Sequence, residues 1–486
     1  MVYGDYDVDG TTSVALFFGF LNSFHFNSDF YIPDRYKEGY GISKQGIDYA
    51  ADNGYSLIVA LDCGIKSVDL ITYADSRGVD FIICDHHLPG DELPKAVAIL
   101  DPKRVDCEYP FKELSGCGVG FKLMEAICNQ LDDLKIDPFD FLDLVVVSIA
   151  SDIVPIVGEN RTLAYLGLER LAKAPRPGLK ALMHLAGIKG YPTITKIVFG
   201  LAPRINAAGR VSHAKTAVEL LLANSEDEAF HYGQSLNLHN KHRRDVDEDI
   251  TYEAITMIED NPLSKEAKTT VLFKKDWHKG VIGIVASRCI EQYYRPTIIL
   301  TESNNKATGS ARSVPGFDVY QAIDSCSDLL DQYGGHKFAA GLTMSIEKVQ
   351  EFQERFEEVV NSTITEELLT PSVEIDTHLN FDNINANFFD VLSQMEPFGP
   401  ENLHPVFITE DLFVAGSLLV LKDKHLKLTI GQKNNNKKFE AIGFNLGYLK
   451  SKLEGGQPFK MAYSIEKNEF RGVTSIQLNI KDIKLG

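Results

Sequence analysis

Apolar runs and polar breaks alternate through the first third of the chain. SDFYIP (Ser28–Pro33), YSLIVALDCG (Tyr55–Gly64), VDFIICDHH (Val79–His87) and AVAILDP (Ala96–Pro102) are short hydrophobic stretches separated by segments of helical character. Strands that are apolar on both faces belong to a parallel sheet covered by helices, so the pattern predicts an α/β domain. FKLMEAICNQL and FLDLVVVSIASDIVP read as helices, the second closed by Asp152 just before Val-Pro. From about Ser225 to Asp260 the pattern stays helical but is strongly charged, and it stops at Asn261-Pro262. A long polar helix of this kind bridges globular parts. A second, smaller α/β segment follows, from TTVLFKKD through RPTIILT and GSARSV to GGHKFAAGLTMS. From about Pro371 the pattern changes to short alternating strands such as HLKLTIGQ, KKFEAIGFN and FKMAYSIEKN, which predict a small β-barrel or sandwich. These changes divide the chain into 1–222, a bridging helix 223–262, a second α/β domain 263–368 and a β-rich domain 369–486.

In open parallel sheets, ligands bind beyond the carboxyl ends of the strands. The polar residues of the first domain stand at those ends: Asp5, Asp7 and Asp9, then Asp62, then Asp85, His86 and His87. Only Met1 to Gly4 precede Asp5, against about five residues in a typical strand, so a further N-terminal segment is expected. The formal net charge of −19 argues against a nucleic-acid partner unless a local groove or bound metal supplies positive charge. The seven cysteines are odd in number and form no C-x-x-C pair, so neither a disulfide framework nor a zinc site is expected. No apolar run approaches the ~18 residues of a membrane span, and no leader pattern is visible. No membrane association and a cytoplasmic location are the expectations.

Three carboxylates at alternate positions in GDYDVDG repel one another unless a cation sits among them. Oxygen ligands with one imidazole suit Mn²⁺ or Mg²⁺ better than zinc. Asp7 and Asp9 at one strand end, Asp62 and His86 at neighbouring ends and Asp152 at a helix end suffice for two ions with one bridging carboxylate. Two such ions, about 3.5–4 Å apart, support in-line attack of hydroxide on phosphorus. A calcium loop is the competing interpretation of D-x-D-x-D-G, but Leu16 stands where its twelfth position requires Glu.

GDYDVDGTTS, LDCGI, CDHHLPG and SDIVP resemble, in order and spacing, the four motifs of the DHH phosphoesterase superfamily. RINAAGRVSHAKTAVELL, GSARSVPGFDV, GGHKFAAG and EPFGPENLHPVF are similar to its RecJ family of single-stranded-DNA-specific exonucleases. The resemblance runs the length of the chain. It implies a DHH domain, a DHH-associated domain and an OB-like C-terminal barrel. It implies that Asp7, Asp9, Asp62, His86 and Asp152 hold metal, with Asp62 bridging and Asp5 contributing to the first ion. Tyr3 stands where some relatives carry a histidine ligand. The resemblance further implies that His87 contacts the scissile phosphate as general acid and that Asp85 orients the histidine pair. Ser310 and Arg312 match a 5′-phosphate pocket, with Arg210 or else Arg204 as a further arginine. In GGHKFAAG, Gly334 and Gly335 let backbone approach a phosphate and His336 donates to it; a tight strand-to-helix turn is the structural alternative. Clustered lysines (Lys422, Lys424, Lys427, Lys433, Lys437 and Lys438) suit a strand-binding barrel.

The implied activity is a metal-dependent 5′→3′ exonuclease that hydrolyses single-stranded DNA to 5′-mononucleotides in repair and recombination. The expected protein is a monomer, with a helicase or single-strand-binding protein as an open partner. The rivals are a nano-RNase or cyclic-dinucleotide phosphodiesterase, which lacks an OB domain, and an inactive single-strand-binding scaffold, which loses ligands. Three further features carry less. GCGVGFK (Gly116–Lys122) has its third glycine one residue early for a dinucleotide loop and is expected to cap the next helix. KHRRD (Lys241–Asp245) reads as a solvated helix face as readily as a DNA contact. Trp277 is expected to pack rather than to stack on a base.

Overall fold

The computed structural model describes residues 1–24, 26–131, 136–470 and 473–485. The chain divides into two units, Met1–Pro371 and Ser372–Gly486.

The first unit opens with five parallel strands, β1 (Val2–Gly4), β2 (Phe30–Tyr31), β3 (Leu57–Leu61), β4 (Asp80–Cys84) and β5 (Ala98–Leu100). Their order is β2-β1-β3-β4-β5. Alternate residues face opposite sides of a strand. Val2, Val59, Leu61 and Cys84 enter one core, with helices α1 (Val8–Asn22), α4 (Gly116–Gln130) and α5 (Leu142–Ser151). Tyr3, Ile58, Ala60, Phe81 and Ile83 enter a second core, with α2 (Lys44–Asp52) and α3 (Val68–Ser76). Both faces are apolar because both are covered, which is why these strands lack a polar alternation. The chain reverses direction across the sheet between β1 and β3, and in this strand order that reversal opens a crevice at the strands' carboxyl ends.

GCGVGFK forms the first two turns of α4, capped by Ser115, whose side chain accepts from Gly118 N. The long helix runs from Glu226 to Asp260, 35 residues, with Ser225 as its N-cap. At 1.5 Å per residue it is about 52 Å long. Its buried stripe (Ala229, Gly233 and Leu236, then Ile250, Ala254 and Ile258) meets the first domain at its start and the helix Ile282–Gln292 at its end. In KHRRD, Arg243 pairs with Asp247 at 2.7 Å and Arg244 with Glu248 at 3.8 Å, so helix-face pairing uses both arginines. Trp277 is buried and donates to Glu253 Oε2 at 2.7 Å.

The second sheet, β6 (Thr270–Phe273), β7 (Thr297–Ser303), β8 (Lys306–Arg312), β9 (Gln332–His336) and β10 (Ala339–Met344), is ordered β6-β7-β8-β10-β9. GGHKFAAG is the tip of the β9–β10 hairpin, which corrects the strand-to-helix turn considered for it. Gly335 has φ +149°, and a Cβ there would lie 2.4 Å from Ala339 O, so the position demands glycine.

In the second unit, β12 (Phe407–Leu421), β13 (His425–Gln432), β14 (Lys438–Gly443), β16 (Val473–Leu485) and β15 (Phe459–Phe470) pair in that order, and β12 pairs with β15 to close a barrel. Strand β11 (Thr377–His378) adds to β12. The barrel core includes Leu412, Leu428, Ala441, Tyr463 and Leu478. Lys437 is fixed to the carbonyls of Asp382 and Ile384, and Lys427 pairs with Glu440 at 3.5 Å.

Candidate metal centre and cleft

The strand ends of the first sheet bring the acidic and histidine residues together. Asp7 caps α1, its side chain accepting from Gly10 N at 3.0 Å. Inside the first turn of that helix, Asp9 is buried and accepts from Gly116 N (2.7 Å), Cys117 N (2.8 Å) and Ser148 Oγ (2.7 Å). The first two donors are free N–H groups at the start of α4, where the helix dipole favours a negative charge. Asp62 follows β3 with φ +60°, a left-handed conformation that Asp tolerates better than most residues. Gly116 permits this arrangement, because a Cβ there would sit 2.5 Å from Asp62 Cβ.

His86 Nδ1 lies 3.0 Å from Leu114 O. A carbonyl only accepts, so Nδ1 carries the proton and Nε2 presents a lone pair. That Nε2 is 3.2 Å from Asp62 Oδ1, 3.6 Å from Asp152 Oδ2 and 3.8 Å from Asp9 Oδ2. It is buried without a hydrogen-bond partner, as are Asp62 Oδ2 and Asp5 Oδ2. Burial lowers the His86 pKa and raises those of Asp62 and Asp152 well above the carboxylate range, and the neighbouring carboxylates raise the latter two further. Orphaned buried oxygens around an unprotonated imidazole nitrogen form a donor set for a hard divalent cation. Two overlapping groups of ligand atoms lie within reach of an ion, Asp9, His86 and Asp152, and Asp62, His86 and His87; they share the one His86 Nε2 lone pair, and His87 Nδ1 is engaged by Asp85.

Asp85 is committed to structure. Its Oδ1 accepts from His86 N (2.8 Å), His87 N (3.2 Å) and His87 Nδ1 (2.8 Å), and Oδ2 accepts from Ile65 N (2.9 Å). Burial pushes its pKa up, but the His87 hydrogen bond and charge outweigh this and hold it below the usual range. Burial likewise opposes the charge on His87, yet Asp85 holds its pKa above the ordinary value. His87 Nε2 faces the Tyr40 hydroxyl at 3.3 Å. Asp5 lies deeper, with Oδ1 accepting from Gly41 N at 3.1 Å. The Tyr3 hydroxyl donates to Gly41 O and accepts from Ser43 N, both at 3.0 Å, so its hydrogen bonds tie it to that loop.

Across the cleft, Ser310, Arg312 and His336 share one face of the second sheet. Arg312 pairs with Ala339 and Ala339 with His336, while Ser310 pairs with Gly341 and Gly341 with Gly334. Directly paired residues project to the same side, so Gly334 and Gly341 leave a bare backbone floor beside Ser310. Arg312 donates to Ser310 Oγ at 2.9 Å. Arg210 donates to Gly280 O at 2.8 Å, and Tyr36 hydrogen-bonds the Arg210 carbonyl. Burial, then Arg35, Arg243 and Arg312, bring the Arg210 pKa down to about 10. Among the described residues, Arg35, Arg210 and Arg312 form no ion pair with a carboxylate. Arg204 is turned elsewhere, donating to Asn237, Gly200 O and Leu185 O beside a cavity it shares with Lys241 and Arg244.

Sequence reasoning missed Ser148, Tyr40, Arg35 and the amides of Gly116 and Cys117. Ser148 stands one helical turn before Asp152, and Arg35 lies just beyond β2, so helix period and the strand-end rule could have found both.

Residues 1–149 match the DHH family, N-terminal domain, residues 266–362 the DHHA1 domain, and residues 375–482 the RecJ OB domain. The chain is 38% identical to a single-stranded-DNA-specific exonuclease RecJ of Bacillus subtilis, covering 99% of this chain and 61% of that protein. It is 34% identical to the RecJ of Salmonella typhimurium, covering 99% of this chain and 87% of that protein. The crystal structure of RecJ in complex with Mn²⁺ from Thermus thermophilus matches all of the chain and 68% of its own length, with TM-score 0.84 and 27% identity. A second crystal structure, of exonuclease RecJ bound to manganese, matches 75% of the chain and 90% of its own length, with TM-score 0.63 and 32% identity. With the DHH, DHHA1 and RecJ OB domains in this order and such likeness over nearly its whole length, the chain belongs to the RecJ family.

Proposed function

We propose that the chain is a divalent-metal-dependent exonuclease that hydrolyses single-stranded DNA from the 5′ end and releases 5′-mononucleotides. One observation carries this: an unprotonated, unpartnered His86 Nε2 within 3.8 Å of three carboxylates. Asp7, Asp9, Asp62, His86 and Asp152, with Asp5 behind them, would hold the Mn²⁺ or Mg²⁺ ions. The relatives' structures carry Mn²⁺ and Mg²⁺. When bound, such ions supply a hydroxide at neutral pH and offset charge on the scissile phosphate. Ser148 and the Gly116 and Cys117 amides orient Asp9, and Leu114 O fixes the His86 tautomer. His87, held by Asp85, keeps a proton at Nε2 for the phosphate or the departing 3′ oxygen. Arg312, Ser310 and His336 receive the 5′ phosphate over the floor left bare by Gly334 and Gly341, with Gly335 allowing the hairpin its course; Arg35 and Arg210 close the same side.

The reading divides the chain into a catalytic domain (1–222), a bridging helix (223–262), a substrate domain (263–368) and a strand-binding barrel (369–486). Its OB domain argues against a nano-RNase, and the full ligand set argues against an inactive scaffold. No helix among the described residues is long and apolar enough to cross a membrane. A cytoplasmic monomer acting in repair and recombination, with a helicase or single-strand-binding protein as partner, completes the proposal.

The test is product analysis with Mn²⁺ and a 5′-phosphorylated single strand, beside its duplex and an Asp62→Ala control. Mononucleotides from the single strand alone, lost with Asp62, are expected. Cleavage restricted to dinucleotides or cyclic dinucleotides would overturn the reading.

A further inference from the structure

The carboxyl rim of the first sheet has a cation at each edge. Arg35 lies beyond β2 at one edge, and Lys103 and Arg104 lie beyond β5 at the other. Four strand spacings of about 4.8 Å separate those edges, about 19 Å in all, with the acidic and histidine cluster between them. At the β5 edge a cavity of about 350 Å³ is lined by Leu88, Pro102, Lys103, Arg104, Lys112 and Glu113. Leu88 immediately follows His87, so the cavity adjoins the metal centre.

Its charges are unbalanced. Three cationic side chains meet two carboxylates, Glu113 in the lining and Asp106 on Arg104, which leaves one positive charge in excess in a chain whose net charge is −19. Arg104 is held by Asp106 at 2.5 Å and by Ile99 O at 2.6 Å. Lys103 reaches Glu113 only at 3.6 Å. Lys112 donates to Cys107 O at 2.6 Å and has no ion-pair partner among the described residues. Lys103 is near enough to the centre for its charge to act on His86 and Asp152. Leu88 and Pro102 add an apolar wall of the kind a sugar or base edge covers.

We propose that this cavity binds a backbone phosphodiester of the DNA strand on the 3′ side of the scissile bond, at the edge of the first sheet opposite Arg35. The assignment rests on the single-strand exonuclease reading. Contacts of this kind position a strand without reading its sequence. They would keep the shortened strand in place between successive cleavages.

The test compares a 5′-phosphorylated oligonucleotide with a 5′-phosphorylated dinucleotide, which has no phosphodiester beyond the scissile one. Lys112→Glu is expected to raise KM for the oligonucleotide about tenfold. It should also flatten the dependence of log kcat/KM on log salt by about 0.7, the slope one phosphate interaction contributes on a single strand. The dinucleotide should be hydrolysed as before, and Lys112→Arg should restore the oligonucleotide KM. A substrate-side experiment on the unaltered protein is independent of any folding defect. An uncharged methylphosphonate at the second or third linkage should raise KM by a similar factor, with little further loss in the Lys112→Glu protein. Unimpaired hydrolysis of the methylphosphonate strands, or equal losses on dinucleotide and oligonucleotide, would overturn the proposal. No mononucleotide release from any strand by the unaltered protein would refute the exonuclease reading beneath it.

Discussion

Asp152→Asn should stabilise the metal-free protein while crippling its response to metal. Oxygens of Asp152 and Asp9 lie within 4.8 Å of one another, with His86 Nε2 in the same group. At an effective dielectric of about 20, two unit charges 4.8 Å apart repel by about 3.5 kcal/mol if both are ionised, and protonation of Asp152, whose pKa burial and Asp9 raise, relieves part of it. The Asp152 side chain is 29% exposed, and solvent screening reduces this to about 1–2 kcal/mol. Asparagine keeps the size and the helix-end geometry but removes the charge, so thermal unfolding in EDTA should shift upward by a few degrees. Adding Mn²⁺ at a hundred times its Kd should stabilise the unaltered protein by about 2.7 kcal/mol. The variant, short of one ligand, should gain far less, so the order of stabilities reverses between EDTA and Mn²⁺. A variant less stable in EDTA, or one that gains as much from Mn²⁺ as the unaltered protein, would refute the reasoning.

Three other substitutions test separate parts of the site. Gly116→Ala drives a methyl to within 2.5 Å of Asp62 Cβ; thermal unfolding should show a loss of about 1–3 kcal/mol, and Mn²⁺-dependent hydrolysis should fall with it. Arg312→Lys removes the planar fork of donors, so the preference in kcat/KM for a 5′-phosphorylated over a 5′-hydroxyl strand should fall about tenfold with little change on the hydroxyl strand. Asp101 follows β5 at the edge of the rim and accepts from Lys103 N at 2.8 Å; burial holds it at about 6, against 3.8 for the free group. The folded state binds its proton more tightly than the unfolded state, so stability falls as pH rises from about 4 to 6. Asp101→Asn lacks that loss, and its stability relative to the unaltered protein should rise over the same window and level off, by at most about 3 kcal/mol.

The part of the site visible in the sequence is the part that sits at ends of regular elements. Asp62 and His86 each terminate an apolar run, and Asp152 terminates a helix, so periodicity and the strand-end rule together locate them. What supports them comes from elsewhere in the chain. Ser148 reaches Asp9 from 139 residues away and Gly116 N from 107, and no local pattern announces such pairs. Glycines punctuate loops, so the sequence suggests only a cap in GCGVGFK, yet the segment is helix and Gly116 is small so that the helix start can approach Asp62. For GGHKFAAG only the strand-to-helix alternative falls, and its role is likewise hidden from a local pattern. Gly334 lies opposite Gly341 in a paired hairpin, and only the register shows that the missing side chains clear a floor beside Ser310 and Arg312.

The net charge of −19 first argued against a polyanionic partner, and the geometry explains why a total charge is a poor guide here. Lys427, among the clustered lysines, is offset by Glu440, whereas Arg35, Arg210 and Arg312 around the cleft have no carboxylate within ion-pair distance among the described residues. Between them the buried acidic groups of Asp5, Asp9 and Asp62 repel phosphate to the extent that they are ionised, and burial pushes Asp5 and Asp62 toward the neutral acid as long as no cation is bound. Divalent ions placed there would turn the middle of the rim from repulsive to attractive, while the arginines at its edge are attractive throughout. Metal and strand would then strengthen each other's binding by the same factor, as linkage requires of two ligands at coupled sites. On this account the acidity of the centre would not oppose nucleic-acid binding; it would make that binding conditional on the metal proposed for the chemistry.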